Sequence, residues 1–272
     1  MIKKVSLDDK YKLENKYILV NGTQALVRAT LVQKSRDEKE KLNTAGFVTG
    51  YRGSPVGNVD LQFNKVEKLI SNKNIKFHPG LNEDIAATSL WGSQQAELRG
   101  ESDYDGVFGL WYGKGPGVDR SGDVFRHSNL AGTSKNGGVI AAMGDDHSGE
   151  SSTVLFQSEY AFKDAMIPIL SPSGVQELID YSIIGWSLSR YASVWVGLKC
   201  LKDTIDATEI VDGSPDRIKI IYPENPTKRG DLSIRVGDTP HAQEERLHRQ
   251  KLPAVKKFAL ENKIDREGFK KS

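Results

Sequence analysis

GGVIAAMGDDHSGESS, residues 137–152, joins a run of small and apolar residues directly to a loop of acids, serines and glycine. Its first eight residues show no alternation of apolar with polar positions. That pattern is typical of a strand that is buried on both faces of a sheet. The stretch therefore predicts a central parallel strand at 137–144, whose carboxyl end opens into a polar loop at 145–152.

The remaining sequence repeats this theme. Further apolar runs predict strands at 46–51, 75–78, 105–112, 166–170 and 193–199. Segments of helical character separate the strands, at 22–41, 58–71, 80–95, 151–165 and 173–190. In the segment 58–71, an apolar stripe recurs at helical spacing through Val59, Phe63, Val66 and Ile70. Strands alternating with helices predict an α/β fold, an open, mostly parallel sheet with helices on both faces.

The pattern of the sequence changes after about residue 205. From there the alternation of strands and helices ends, and the charged segment 241–263 is interpreted as a helix that Pro253 interrupts. We therefore expect an α/β domain at 1–205. We expect 206–272 to be a connector or the truncated start of a following domain.

Composition excludes several classes of protein. The 38 Lys and Arg residues nearly balance the 36 Asp and Glu residues, which argues against a nucleic-acid partner. No segment offers the roughly 20 apolar residues of a membrane span, and the N-terminus lacks a signal-peptide core. We therefore expect a cytoplasmic protein without a membrane partner. Cys200 is the single cysteine, so the chain cannot ligate an iron–sulfur cluster by itself.

The loops predict where a ligand would bind. Ligands of open parallel sheets lie beyond the carboxyl ends of the strands. Loops rich in Gly, Ser and Asp follow the predicted strands at 52–58, 79–84, 113–123 and 145–152. In the loop 113–123, Arg120 stands where a dinucleotide fingerprint needs its third glycine, and the segment does not match a P-loop. A nucleotide site is therefore disfavoured.

The loop 145–152 brings Asp145, Asp146, His147 and Glu150 together in sequence. These residues lie too close along the chain to surround one metal ion without a ligand from elsewhere. A loop that caps the following helix through its serines explains the same composition. No metal site is predicted.

Glu83 stands directly before a helix of small and apolar residues. Asn82 is a good N-cap, and Glu83 and Asp84 would favour the helix dipole in the first turn. The helix is also expected to be buried at the functional edge of the sheet. A carboxyl group removed from bulk water there suits proton handling. The residues alone leave both roles open.

Several stretches, in order along the chain, carry a resemblance to a known family: TGYRGSPVGNVD (49–60), HPGLNEDIAATSLWGSQQ (78–95), 137–181 and GDLSIRVGDTPHAQEERLHRQK (230–251). They resemble the thiamine-diphosphate-dependent 2-oxoacid:ferredoxin oxidoreductases, most closely the N-terminal, pyrimidine-binding region of the fused indolepyruvate type. The resemblance implies oxidative decarboxylation of an aryl 2-oxo acid, with coenzyme A and ferredoxin as partners of the complete enzyme. It also implies an oligomer, thiamine diphosphate with Mg²⁺ as cofactor, and Mg²⁺ ligands and iron–sulfur clusters outside this chain.

On this resemblance Glu83 is the catalytic residue, the acid that hydrogen-bonds the pyrimidine ring of the cofactor. The family's Tyr-Pro-Gly-Thr-Pro turn falls on residues 51–55, with Arg52 in place of Pro and Ser54 in place of Thr. The implied cofactor-binding residues are Tyr51, Gly53, Ser54, Pro55, Asn82, Lys114 and Gly115. The implied residues of the substrate-side loop are Asp145, Asp146, Ser151 and Ser152. An alternative stays open, a non-catalytic α/β module that contacts partner subunits of a larger complex.

Overall fold

The computed structural model describes residues 7–150, 152, 154–224 and 231–266. Its elements, in chain order, are β1 (Tyr17–Asn21), α1 (Gly22–Lys39), β2 (Thr44–Gly50), α2 (Val59–Lys65), α3 (Glu67–Ser71), β3 (Ile75–Phe77), α4 (Glu83–Ser93), β4 (Gly106–Lys114), α5 (Gly115–Arg120), α6 (Gly122–Ala131), β5 (Val139–Asp145), α7 (Glu159–Asp164), β6 (Ile169–Leu170), α8 (Val175–Ala192), β7 (Trp195–Leu201), α9 (Lys202–Asp206), β8 (Thr208–Asp212), α10 (Pro240–Arg246) and α11 (Leu252–Glu261). Single 3₁₀ turns at Leu7–Tyr11 and Val56–Asn58 and a π-helical turn at Leu247–Lys251 join these elements.

One parallel sheet forms the centre of the molecule, with the strand order β3-β2-β4-β5-β7-β6. Every residue of β5 is buried, as the unbroken apolar run predicts. The strands expected from the sequence all occur, which confirms the open parallel α/β fold. The strand order places the carboxyl ends of β2, β4 and β5 side by side, with Gly50 opposite Tyr112 and Lys114 opposite Gly144.

Helices cover both faces of this sheet, and each face has its own hydrophobic core. Ile140 and Ala142 of β5 point into the core that α1, α2 and α8 complete. Ala141 and Met143 point into the core that α4, α6 and α7 complete. This alternation follows from the two-residue period of a strand. Over the described part of the chain, every helix is too short or too polar to span a bilayer.

The structure corrects some of the helix predictions. The segment 113–123, predicted as a loop, forms the end of β4, the short helix α5 and the start of α6, and Pro116 stands in the first turn of α5, where its fixed φ is favourable. The predicted helix 58–71 divides at Val66, whose φ is −114°. Of the predicted helix 151–165, only α7 forms among the described residues, and positions 151 and 153 lie outside them.

The segment after residue 206 packs against the α/β domain. Its first strand, β8, pairs antiparallel with β1, and neither strand was predicted. Phe258 of α11 is fully buried and packs against Tyr191 of α8, with ring centroids 5.5 Å apart. The α-helix predicted over 241–263 is interrupted beside Pro253, as expected: the π turn separates α10 from α11, and Pro253 stands in the first turn of α11. The domain boundary at residues 205 and 206 stays a prediction.

Buried arginines hold distant segments to this domain. Arg28 of α1 is fully buried and donates hydrogen bonds to the carbonyl oxygens of Lys10 at 3.0 Å and Gly213 at 2.8 Å. Arg190 of α8 donates to both carboxylate oxygens of Asp37 of α1, at 2.6 and 2.8 Å. Removal of one partner from such a contact leaves an uncompensated buried charge. The N-terminal segment, β8 and the two long helices are therefore firmly connected.

Candidate active site

Glycines at the carboxyl ends of β2 and β5 and in the loop after β3 allow neighbouring segments to pack closely together. The amide of Gly80 donates to the carbonyl oxygen of Gly50 at 2.8 Å, which joins the loop after β3 to the end of β2. A Cβ atom at Gly50 would overlap the carbonyl oxygen of Tyr112, and one at Gly144 would lie 2.9 Å from the side chain of Val56. Because Gly50 and Gly144 have no side chains, the loops 51–58 and 79–82 can pack directly against the strand ends.

Glu83 lies at this edge as the first residue of α4. Asn82 caps the helix, since its side-chain oxygen accepts a hydrogen bond from the amide of Ile85 at 2.8 Å. The indole Nε1 of Trp111 donates to the carbonyl oxygen of Glu83 at 3.0 Å and ties the start of α4 to β4. Glu83 as a residue is only 6% exposed. The helix cap is therefore Asn82, and the largely buried acid is the next residue, Glu83.

Glycines make the space for the Glu83 side chain. A Cβ atom at Gly117 of α5 would overlap Glu83 Cγ and lie 2.6 Å from Oε1. A Cβ atom at Gly113 would lie 3.3 Å from Glu83 Cγ. Sequence reasoning did not place Gly113 or Gly117 beside Glu83. It compared this glycine-rich run only with nucleotide-binding motifs, which lie within one segment of the chain.

The carboxylate of Glu83 has no hydrogen-bond donor among the residues that the structure describes. Its oxygens are not among the fully buried, unpaired polar atoms of the described residues, so the carboxylate reaches the surface at this edge. The backbone of Glu83 is fixed at both the helix start and Trp111, so its position does not depend on such a donor. The arrangement leaves the carboxyl group able to share a proton with a ligand.

The predicted cofactor residues of the loop 51–55 lie at the same edge. The amide of Tyr51 donates to the carbonyl oxygen of Tyr112 at 3.0 Å, and Tyr51 as a residue is 38% exposed. The side chain of Lys114 lies against Gly53, where a Cβ atom would be 2.7 Å from Lys114 Cδ. The peptide between Ser54 and Pro55 is cis. The contacts of these residues and of Asn82 with a cofactor stay predictions.

The acids of the predicted substrate-side loop are held within the protein. Asp145 is fully buried and accepts hydrogen bonds from the amide of Ser158 at 2.8 Å and from its hydroxyl at 2.5 Å. Burial raises the pKa of Asp145, and the bonds from Ser158 oppose that effect. Asp146 accepts from the amides of Gly149 at 3.0 Å and Ser152 at 3.1 Å. These carboxylates therefore shape the loop. Their place beside a substrate stays a prediction, and Ser151 lies outside the described residues.

The segment between this loop and α7 reaches the candidate site through Phe156, which sequence reasoning missed. A Cβ atom at Gly115 would overlap Phe156 Cβ and lie 2.7 Å from its Cδ1, so the ring covers the start of α5. His147 holds the backbone of Phe156, because its Nδ1 lies 2.9 Å from the Phe156 carbonyl oxygen. Gly115, predicted to bind cofactor, therefore contacts Phe156 two residues before Gly117. Only packing between loops reveals this contact.

Comparisons with known proteins identify a similar fold. No family model matches the sequence, and no curated protein matches it. Among solved structures, the chain is similar to 2-oxoglutarate:ferredoxin oxidoreductase from Magnetococcus marinus, determined with 2-oxoglutarate, coenzyme A and succinyl-CoA bound, with a TM-score of 0.63 and 14% sequence identity. The match covers 94% of this chain and 47% of that chain. The chain thus spans about half the length of a protein whose fold it shares.

Proposed function

We propose that this chain is the pyrimidine-binding part of a thiamine-diphosphate-dependent 2-oxoacid:ferredoxin oxidoreductase. The observation that carries the proposal is Glu83, a largely buried residue at the carboxyl edge of a parallel sheet, whose carboxylate has no donor among the described residues. The similarity of fold to 2-oxoglutarate:ferredoxin oxidoreductase supports it. The proposed substrate is an aryl 2-oxo acid such as indolepyruvate, and that choice rests on the sequence resemblance.

The residues at this edge fit the aminopyrimidine half of the cofactor. Glu83 would hold the ring by sharing a proton at its carboxyl oxygen, and Gly113 and Gly117 keep the space beside that oxygen free of side chains. Trp111, fully buried, holds the start of α4 against β4 through its bond to the Glu83 carbonyl oxygen. Lys114 and the loop 51–55 flank the same edge. When bound, thiamine diphosphate supplies the nucleophilic carbon and the electron sink for decarboxylation.

The chain would supply one side of this site. Clefts of about 720 Å³ beside Tyr11 and about 490 Å³ beside Trp91 lie elsewhere, and Glu83 lines neither. An exposed edge of this kind needs a second domain to cover the cofactor. We assign the Mg²⁺ ligands, the iron–sulfur clusters and the contacts with coenzyme A and ferredoxin to other domains or subunits of an oligomer.

The test compares Glu83→Gln with Asp84→Asn in the complete enzyme. Both substitutions neutralise an acid in the first turn of α4, so they affect the helix dipole alike. Loss of a proton-handling group lowers turnover by about 10²- to 10⁴-fold, and we expect this for Glu83→Gln only. Reduction of ferredoxin with indolepyruvate measures turnover, and calorimetric titration with thiamine diphosphate and Mg²⁺ measures binding.

Near-normal turnover of the Glu83→Gln enzyme would contradict the assigned role. Equal losses in both variants would indicate that the acids act only on the helix. Either result would favour a non-catalytic α/β module that contacts partner subunits.

A further inference from the structure

The structure brings together three metal-ligating side chains from different elements. Asp145 ends β5, His147 lies in the following loop, and Glu159 begins α7. One ligand atom from each of these residues lies within 4.8 Å of the other two. The sequence alone identified no metal ligand outside the loop 145–152, and in the structure Glu159 takes that place. Ser158 causes the approach, because its two hydrogen bonds to Asp145 fold the start of α7 back onto the end of β5.

Each of these side chains is oriented by a hydrogen bond with a neighbour. Ser158 orients Asp145, and the carbonyl oxygen of Phe156 accepts from His147 Nδ1 at 2.9 Å. Lys199 donates to Glu159 Oε1 at 2.6 Å. Metal-ligating histidines and carboxylates are typically held in this way, and a histidine whose one nitrogen donates to a carbonyl has the other nitrogen available for a metal ion.

A simple ion pair does not account for this cluster. Lys199 neutralises one carboxylate, but Glu159 Oε2 is buried and has no hydrogen-bond partner among the described residues. Asp145 is fully buried and meets the amide and hydroxyl of Ser158, with no Lys or Arg paired to it in the described part of the chain. Buried carboxylates are costly unless a cation compensates them. A divalent ion between Asp145 and Glu159 would provide that compensation.

We propose that Asp145, His147 and Glu159 bind a divalent first-row transition-metal ion of the Zn²⁺ type. Mg²⁺ and Ca²⁺ prefer ligand sets made entirely of oxygen, whereas imidazole mixed with carboxylates suits the transition metals. Ligand bonds of about 2.0–2.2 Å bring the ligand atoms roughly 3 Å apart, so small side-chain rotations close the cluster around one ion. The ion joins β5, the loop and α7, and it fixes the loop that places Phe156 on Gly115.

Titration with Co²⁺ tests this site, because Co²⁺ replaces Zn²⁺ and gives visible absorption bands when a protein binds it. The wild-type chain is expected to bind one Co²⁺ ion, and added Zn²⁺ is expected to displace it. His147→Ala and Glu159→Gln are expected to weaken binding by at least about 10-fold. His147 is exposed, so its removal leaves the fold intact even if Glu159→Gln disturbs Lys199. Far-UV circular dichroism checks the fold of both.

The matched controls are His127→Ala and Glu150→Gln. His127 is an exposed histidine beside an acid, 3.6 Å from Asp123, and Glu150 is an exposed acid of the same loop that pairs with Lys202. Both controls are expected to bind Co²⁺ like the wild type. Absence of Co²⁺ and Zn²⁺ binding by the wild type, or equal binding by His147→Ala, would overturn the proposal. The titration reads metal binding directly, so its result is independent of any oxidoreductase activity.

Discussion

Glu83 and Asp145 are buried acidic residues at the same edge of the sheet, and the surroundings of their carboxylates differ. Asp145 accepts two hydrogen bonds from Ser158, whereas Glu83 accepts none from the described residues and is positioned by its backbone and by Gly113 and Gly117. A buried acid that finds its donors inside the protein holds a loop in place. One that is held in place without donors keeps its hydrogen-bonding capacity for a ligand. The difference separates the structural acid from the candidate catalytic one.

Among substitutions that keep both acids, the largest effect is expected from Gly117→Ala, which would break the arrangement around Glu83 without changing any polar group. The new methyl group would overlap Glu83 Cγ and displace the carboxyl group. Misplacement of a catalytic group by about 1 Å can lower turnover about 10²-fold, and we expect a loss of that order in the complete enzyme. Gly92→Ala is the matched control, because a Cβ atom at Gly92 meets nothing within 4 Å. Equal turnover in the two variants would contradict the inference that Gly117 makes room for the Glu83 side chain.

Ser158→Ala tests the other side of the comparison. It removes the hydroxyl donor and leaves one oxygen of a fully buried Asp145 without its partner. We expect the free energy of unfolding to fall by about 1–3 kcal/mol. Glu83→Gln, which breaks no hydrogen bond of the described residues, is expected to change it by less than about 0.5 kcal/mol. Urea denaturation measures both, and similar losses would remove the distinction between the two acids.

Asn82→Ala separates capping of α4 from the role of Glu83. The substitution removes the bond to the Ile85 amide and is expected to lower stability by about 1 kcal/mol. Thermal denaturation measures the change. Asn82→Asp, which keeps the capping oxygen, is expected to restore stability. If the Asp variant is as unstable as the Ala variant, the cap is not what Asn82 contributes.

The smallest effect is expected in the pH dependence of stability. Burial raises the pKa of Asp145 in the folded state, so the folded protein takes up a proton at higher pH than the unfolded chain does. As the pH falls through the raised folded pKa towards the unfolded value of about 3.9, protonation of Asp145 increases the stability of the folded protein. As the pH rises again, this gain in stability is lost. Urea denaturation at several pH values, with a chelator present, compares wild type with Asp145→Asn. The difference should move in favour of wild type on acidification, and an opposite trend would show that the Ser158 bonds outweigh burial.

Local patterns were sufficient for much of the fold. The apolar run 137–144 predicted β5 because a strand buried on both faces is apolar along most of its length. Asn82 was identified as a cap because capping involves only the next three residues. By contrast, β8 was not predicted, since only one face of it is buried and its partner β1 lies far away in the sequence.

The sequence by itself predicted the strands of the parallel sheet, the edge where the polar loops gather and the place of Glu83 at that edge. Only the tertiary structure decided that Gly117 lies against Glu83, that Ser158 satisfies Asp145 and that Glu159 meets His147. Periodicity and capping depend on neighbours within a few residues. The donors, steric contacts and possible ligands around a buried acid come from separate elements, and they meet only when helices and loops pack on the sheet.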